Sequence, residues 1–170
     1  MTGPIRREVL TWRDVEKLID VLVPQFEGEF EAMVIITRGG IVPGGMLAET
    51  LDLKDIFLAA VSFPLMDAEY RLLAWPEFLQ FPNPDMVRGK HVLVIDDVWG
   101  SGRTMISVKD GLQAADCRPE TCVLHFNPYR SLFGKARPDY YGAITDAHIV
   151  YPWEYDRGVD FTAREPRMTS

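Results

Sequence analysis

The chain has 170 residues, of which 47% are hydrophobic and 25% charged, a composition typical of a globular protein with one core of ordinary size. Its net charge of -7 argues against a general nucleic-acid surface, although a local pocket on an acidic protein can still bind a small anion. No apolar run is long enough to span a membrane or to act as a secretion signal, so we expect a cytoplasmic protein.

The first helix is predicted from a capping pattern followed by apolar residues at helical spacing. Thr11 and Asp14 stand three positions apart, as a helix start requires. The apolar residues that follow recur at intervals of three and four, which places them on one helical face: Val15, Leu18, Ile19 and Leu22.

Two short apolar runs then predict buried strands. The first covers 33–37 and ends at Arg38-Gly39-Gly40, after which a short helix is expected through Leu51. The second strand is predicted over 56–61.

The stretch 62–88 is different, because it contains four prolines and several aromatic residues. A long irregular insertion in a compact domain is usually a lid or a binding loop, and that is the prediction here. A β-hairpin that forms a small hood remains the alternative.

Further strands are predicted over 91–95, 121–126 and 147–151. The helix between the first two of these carries its apolar residues on one face: Met105, Val108, Leu112 and Ala115. The two cysteines, Cys117 and Cys122, cannot complete a four-thiolate zinc site, so we expect reduced thiols in or near a strand.

Strands that alternate with helices predict an α/β fold, namely a doubly wound, mainly parallel sheet with helices on both faces and a small hood or lid. A single domain over 1–170 is expected. In such sheets, ligands bind outside the carboxyl ends of the strands, where the strand order reverses. The segments 38–40 and 96–104 both follow strand ends, so we expect them to share one edge of the sheet.

The most informative segment is 92–104, which reads VLVIDDVWGSGRT. Its carboxylates, Asp96 and Asp97, can accept hydrogen bonds from vicinal hydroxyls, and the glycine-rich turn offers backbone N–H groups to a phosphate. Capping of the next helix would explain one acid but not the pair together with the turn. A phosphatase or hydrolase that uses the acids as metal ligands would need more converging carboxylates than the segment supplies.

This segment resembles the motif of type I phosphoribosyltransferases, and every fixed position of that motif is met. The family binds 5-phosphoribosyl 1-pyrophosphate (PRPP) with Mg²⁺. The resemblance implies that Asp96 and Asp97 are catalytic, holding the ribose hydroxyls and the metal directly or through its water shell. It also implies a phosphate-binding turn, whose residues are Val98, Trp99, Gly100, Ser101, Gly102, Arg103 and Thr104.

A second segment, 37–44, is similar to the pyrophosphate-binding loop of bacterial xanthine–guanine phosphoribosyltransferases. By that resemblance Arg38, Gly39 and Gly40 would meet the pyrophosphate, with Arg38 also counted as catalytic because it would neutralise the leaving group. The loop often carries a cis peptide in that family, and the bond from Arg38 to Gly39 is the matching one. The alternative is that the two glycines only form a turn.

A third segment, 139–160, is similar to the part of these enzymes that covers the purine. It contains Tyr151-Pro152-Trp153-Glu154, followed by Gly158-Val159. The resemblance implies that Trp153 stacks on the base, with Glu154 and Asn127 also near it, although Trp153 could equally be part of the core.

The sequence departs from the enzymes of 6-oxopurines at two positions. Gly100 stands where they have an aspartate beside the purine N7, and Asn127 stands where they have a lysine for the exocyclic oxygen.

The resemblance therefore implies a purine phosphoribosyltransferase whose base specificity is left open, with PRPP and a nucleobase as partners and a homodimer by analogy. The alternative is a catalytically weak or inactive regulatory protein of the same fold that binds PRPP or a nucleotide. Nucleic acid and membrane are not expected partners, and the three histidines, which lie far apart in the chain, are predicted to be structural.

Overall fold

A computed structural model of the protein describes residues 5–64 and 75–155. The strands are β1 (Arg7–Val9), β2 (Ala32–Ile36), β3 (Ile56–Ser62), β4 (Glu77–Gln80), β5 (His91–Trp99), β6 (Arg118–Phe126), β7 (Tyr140–Ile144) and β8 (His148–Val150). The helices are α1 (Trp12–Leu22), α2 (Ile41–Thr50), α3 (Pro84–Val87), α4 (Arg103–Ala114) and α5 (Pro152–Tyr155), with a 3₁₀ turn at Val23–Gln25.

The central sheet has six strands in the order β4-β3-β2-β5-β6-β7. Its pairs are parallel except that between β3 and β4, which is antiparallel. After β2 the chain adds β3 and β4 on one side of the sheet, and after β5 it adds β6 and β7 on the other side. The strand order therefore reverses between β2 and β5. The predicted doubly wound, mainly parallel sheet is confirmed.

Both faces of the sheet are covered, because successive side chains of each strand point to opposite faces. On β2, Met33 and Ile35 belong to the core that includes α1 and α2. Ala32, Val34 and Ile36 belong to the core that includes Val87 of α3 and the apolar face of α4. Strand β2 is therefore a continuous apolar run, as a strand buried on both faces requires.

Helix α1 begins as predicted. The Thr11 hydroxyl accepts a hydrogen bond from the Asp14 N–H at 3.3 Å, and the Asp14 carboxylate accepts one from the Thr11 N–H at 2.9 Å. The apolar face predicted from spacing is confirmed, with Val15, Ile19 and Leu22 buried and Leu18 packed partly against them.

Strand β5 is longer than predicted. It continues from Ile95 through the acidic pair to Trp99, because β6 pairs beside it as far as the match of Trp99 with Phe126. The acids thus lie on the strand itself rather than in the turn after it. The turn begins only at Gly100.

The expectation of an irregular insertion over 62–88 is wrong for its second half. Residues 77–80 form β4, which pairs with the end of β3, so the hairpin alternative describes this part better. The short helix α3 follows, capped by Asn83, whose side-chain oxygen accepts the Asp85 N–H at 3.0 Å. Residues 65–74 of the predicted lid lie outside the described residues.

The strand predicted over 147–151 exists as β8, but it is not part of the central sheet. It pairs in parallel with β1, and the two form a separate small sheet. The edge of the central sheet is instead β7, which the sequence analysis did not identify. Strand β1 was also missed, because its three residues are all exposed and show no apolar alternation. Within the described ranges, no helix has the length and apolar character needed to cross a membrane.

Two glycines near the start of α2 give a matched test of the packing. A Cβ atom at Gly40 would lie 2.5 Å from the Ile95 carbonyl oxygen and 2.7 Å from that of Ile36, whereas one at Gly45 would meet nothing within 4 Å. We expect Gly40→Ala to lower the free energy of unfolding by about 2 kcal/mol or more, because backbone atoms of two strands would have to move. Gly45→Ala should raise it by about 0.5–1 kcal/mol through helix propensity. Urea denaturation of both variants measures the difference, and equal stabilities would contradict the close approach.

Candidate functional site

The main cleft lies where the strand order reverses, at the carboxyl ends of β2 and β5. It has a volume of about 680 Å³. Its walls come from the turn between β2 and α2, the acidic end of β5, the first turn of α4 and helix α5. The sequence placed 38–40 and 96–104 at one edge of the sheet, and the structure brings parts of both into this one cleft. Of the predicted site residues, the following line it: Arg38, Gly39, Asp96, Asp97, Thr104, Trp153 and Glu154.

The acidic pair is the electrostatic centre of the cleft. The Asp96 carboxylate accepts the Asp97 N–H at 2.9 Å, which fixes the two residues relative to each other. Burial and the neighbouring Asp97 raise the pKa of Asp96 well above its ordinary value of 3.8. Burial also raises the pKa of Asp97 to about 6, and the charge of Glu154 adds to the rise. Both carboxylates therefore gain from a nearby cation or from hydroxyl donors, which marks the pair as a candidate for function.

The turn after β2 fits tightly against this pair. A Cβ atom at Gly39 would lie 2.5 Å from the Asp97 carboxylate, so only glycine fits there without displacing the acid. The cis peptide of this turn joins Thr37 to Arg38, and the prediction of a cis bond between Arg38 and Gly39 is wrong by one position. The glycine is required by the contact with Asp97, and not by the cis bond. The turn brings Arg38 into the same cleft as both acids.

The turn after β5 leads directly into α4. Gly102 is its N-cap residue with φ of 85°, and a Cβ atom there would lie 2.5 Å from the Trp99 indole nitrogen. No side chain caps the helix at Gly102, so N–H groups of the first turn can bind an anion beside Thr104. Gly100 and Ser101 complete the turn, and the Ser101 hydroxyl accepts the Arg103 N–H at 3.4 Å.

Trp99 is part of the core rather than of the phosphate site. Its side chain is 3% exposed, packs on Phe126 with ring centroids 6.0 Å apart, and donates to the Ser131 hydroxyl at 3.3 Å. Its backbone carbonyl accepts the Asn127 N–H at 2.9 Å, so neither the side chain nor that carbonyl is available for the predicted phosphate contact. The sequence could not separate the two roles, because Trp99 stands inside the motif.

Arg103 turns toward the end of β3. Its guanidinium lies over the Phe63 ring, 3.9 Å from the centroid. Such a contact between a cation and an aromatic face holds the charge near the surface of the ring. The predicted phosphate ligand is thus placed between α4 and the start of the 62–88 segment.

A second, smaller cavity of about 140 Å³ adjoins the cleft. Asp97 and Glu154 line both spaces, and Val98, Gly100, Asn127, Arg130 and His148 are among the residues that line only the smaller one. Asn127 is 2% exposed, and its side-chain oxygen accepts the N–H groups of Tyr129 and Arg130, both at 3.2 Å. Because only an oxygen can accept two N–H donors, the orientation of the amide is fixed and its NH₂ group is the part left to donate.

Trp153 lies between the core and the cleft, and its predicted stacking on a base stays a prediction. It packs against the core and stacks on Tyr151, with ring centroids 4.5 Å apart and 6° between the planes, and it also lines the cleft. Glu154 accepts the Tyr151 N–H at 2.6 Å, which fixes the start of α5. Residues 156–160 of the predicted base-covering segment, including Gly158-Val159, lie outside the described residues.

The sequence analysis missed a buried hydrogen-bond network beneath the acidic pair. The Tyr151 hydroxyl donates to the backbone carbonyl of Asp97 at 2.9 Å, and the Nδ1 atom of His125 lies 2.9 Å from the same hydroxyl. The only available signal was a histidine in the apolar run TCVLHF of β6, which does not reveal its partner.

Comparisons with known proteins agree with this geometry. The model of the phosphoribosyl transferase domain matches residues 7–156. The chain belongs to the phosphoribosyl transferase family. It is 29% identical over 150 residues to a xanthine-guanine phosphoribosyltransferase of Ruegeria sp. (strain TM1040), covering 85% of this chain and 77% of that protein.

Two solved structures are also similar to this phosphoribosyl transferase family member. A purine phosphoribosyltransferase from Pyrococcus horikoshii has a TM-score of 0.74 at 25% identity, with 86% of this chain and 93% of that chain covered. A protein from Neisseria gonorrhoeae with bound ppGpp has a TM-score of 0.76 at 26% identity, with 90% and 92% covered.

The buried His125 gives this family member a measurable pH dependence of stability. Burial lowers the pKa of His125 from 6.5 to about 4. Between these values the unfolded chain binds a proton that the folded chain does not, so acidification favours unfolding. We expect this residue to lower the free energy of unfolding by up to about 3 kcal/mol as the pH falls from 6.5 to 4. Urea midpoints at several pH values measure the effect, and His125→Asn should lose that part of the slope. An unchanged slope in the variant would contradict a neutral, buried His125.

Proposed function

We propose that this protein transfers the 5-phosphoribosyl group of PRPP to a purine base, giving a nucleoside 5′-monophosphate and pyrophosphate. The observation that carries the proposal is the desolvated acidic pair placed between the starts of two helices, α2 and α4, at the reversal point of the sheet. The similarity to xanthine-guanine and purine phosphoribosyltransferases supports it.

The cleft supplies groups for each part of PRPP. Asp96 and Asp97 accept hydrogen bonds from the ribose hydroxyls and favour the positive charge that develops at C1. Arg38 and the backbone at Gly39 and Gly40 bind the pyrophosphate, which leaves with the electron pair of the C1–O bond. The start of α4, from Gly100 to Thr104, anchors the 5′-phosphate away from the reacting atoms.

The acidic pair also fits a magnesium ion. Mg²⁺ prefers oxygen ligands and is commonly held by one or two carboxylates together with water and substrate phosphates. Within the described ranges no cluster of three or more carboxylate, histidine or cysteine side chains forms a metal site. We propose that Asp96 and Asp97 would hold Mg²⁺ together with PRPP, and that the ion would supply positive charge for the leaving pyrophosphate.

The smaller cavity is the proposed site of the base. The base would form its bond to C1 from the side of Asp97, with Trp153 and Glu154 near its other edge. Asn127 presents a fixed NH₂ group, and Gly100 offers no side-chain acceptor. We propose that this lining favours a base with an exocyclic oxygen over one with an exocyclic amino group.

Several finer features belong to the same proposal. Segment 62–88 serves as the predicted lid or hood, with its part before β4 excluding water from the cleft, and 139–160 covers the base, within a single domain. The protein works as a homodimer in the cytoplasm. The alternative is a regulatory protein that binds PRPP or a nucleotide without turnover. Gly100 and Asn127 are the residues that motivate it, whereas the similarity to purine phosphoribosyltransferases favours the transfer reaction.

Turnover with PRPP, Mg²⁺ and a panel of purine and pyrimidine bases tests the function. We expect nucleotide product with a purine, and a loss of kcat/KM of about a hundredfold or more in Asp97→Asn, because a charged group beside C1 is removed. Asp110→Asn, an exposed carboxylate on α4, is the matched control and should leave the rate unchanged. Calorimetric binding of PRPP without product from any base would support the regulatory alternative instead.

Base preference is tested at Asn127 and Gly100. Asn127→Asp keeps an oxygen for the N–H groups of Tyr129 and Arg130 but loses the NH₂ donor. We expect kcat/KM for hypoxanthine to fall about tenfold or more relative to adenine, the value of one buried hydrogen bond. A Cβ atom at Gly100 meets nothing within 4 Å, so Gly100→Asp fits and should raise turnover of 6-oxopurines. Unchanged preference in both variants would place the base elsewhere.

A further inference from the structure

We propose that Tyr151 is a positioning residue that fixes the Asp97 peptide beneath the cleft, with His125 holding the Tyr151 hydroxyl in place. The inference rests on the proposed transfer reaction, because its effect is measured on turnover. Both side chains are buried, Tyr151 at 1% and His125 at 5% exposure. Tyr151 borders the smaller cavity, but its hydroxyl is bonded to the Asp97 carbonyl and to His125, so the proposed role is to hold Asp97 and not to bind a substrate.

The direction of the hydrogen bonds follows from the groups themselves. The Asp97 carbonyl can only accept, so the Tyr151 hydroxyl must donate its proton to it. That hydroxyl then has only acceptor capacity left, so His125 must donate from Nδ1. The network therefore requires the neutral imidazole with its proton on Nδ1, a form consistent with burial.

Asp97 is the residue that the strands alone do not fix. The pairing of β2 with β5 ends at Ile95, and the pairing of β5 with β6 passes from Asp96 to Val98 without including Asp97. Its N–H is held by the Asp96 carboxylate, and its carbonyl is held by Tyr151. The Tyr151 hydroxyl thus takes the place of a strand partner at the residue whose carboxylate faces the cleft.

Tyr151 also connects this peptide to the segment that covers the proposed base site. Its ring stacks on Trp153, and its N–H donates to Glu154, which lines both cavities. One side chain therefore sets the distance between the carboxylate proposed to hold the ribose and the aromatic residue on the base side. A well-held geometry of this kind acts on the chemical step more than on substrate binding.

Removal of the single oxygen atom in Tyr151→Phe tests the role. We expect kcat to fall about tenfold, with KM for PRPP changed by less than about twofold, because the phosphate-binding groups are untouched. As a single substitution, His125→Leu should lower kcat by about threefold. Added to Tyr151→Phe, it should have no further effect on kcat, because His125 acts only through the Tyr151 hydroxyl. His125→Asn, which keeps an N–H donor near the position of Nδ1, should restore most of the loss.

Tyr140→Phe is the matched control, because Tyr140 is also a buried tyrosine with a bonded hydroxyl, which donates to the Glu120 carboxylate at 2.6 Å. It lies at the start of β7, away from the cleft lining, and should lower stability without changing kcat. If Tyr151→Phe behaves like Tyr140→Phe, with lower stability and unchanged kcat, the positioning role is wrong. Additive effects of the His125 and Tyr151 substitutions on kcat would equally overturn it. A wild-type protein with no turnover for any base would instead overturn the proposed function, and this inference with it.

Discussion

Two adjacent carboxylates held in a desolvated strand end are the constraint on which the rest of the site depends. Burial raises the pKa of both Asp96 and Asp97. The charge of Asp97 adds to the rise at Asp96, and the charge of Glu154 adds to the rise at Asp97. The strand that carries this unfavourable pair, β5, is held in place by β2 on one side and β6 on the other. The same crowding dictates glycine at position 39, since any larger residue would meet the Asp97 carboxylate.

The sheet order then decides what surrounds the acids. Strands β2 and β5 are parallel neighbours, but the strand that follows β2 lies on one side of the pair and the strand that follows β5 lies on the other side. For this reason α2 and α4 both start at the same cleft. The positive ends of two helix dipoles and Arg38 therefore face a small acidic centre from different sides. An overall charge of -7 is compatible with the proposed binding of anions, because the helix starts and Arg38 concentrate positive charge in one place.

Under the proposed function, the smaller cavity is the place where base preference is decided. Its polar lining is set by residues outside the acidic motif, notably Asn127, whose amide orientation is fixed by two backbone N–H groups. If the proposed base site is correct, a substitution at Asn127 changes which edge of a base can form hydrogen bonds and leaves the proposed phosphate-binding turns unchanged. Tyr151 and Trp153 form the link between that cavity and the cleft, so the acidic strand end and the base side share one aromatic support.

The sequence by itself determined the features that depend on neighbours along the chain: the apolar strands, the capping box at Thr11, and the order of acids and glycines in 92–104. These follow from local spacing, because side-chain periodicity and helix capping act over a few residues. Only the tertiary structure decided that Trp99 is core, that β8 leaves the central sheet to pair with β1, and that Tyr151 reaches under the acidic pair. Such contacts join residues distant in sequence, and a buried tyrosine or histidine carries no local mark of the partner that will satisfy it.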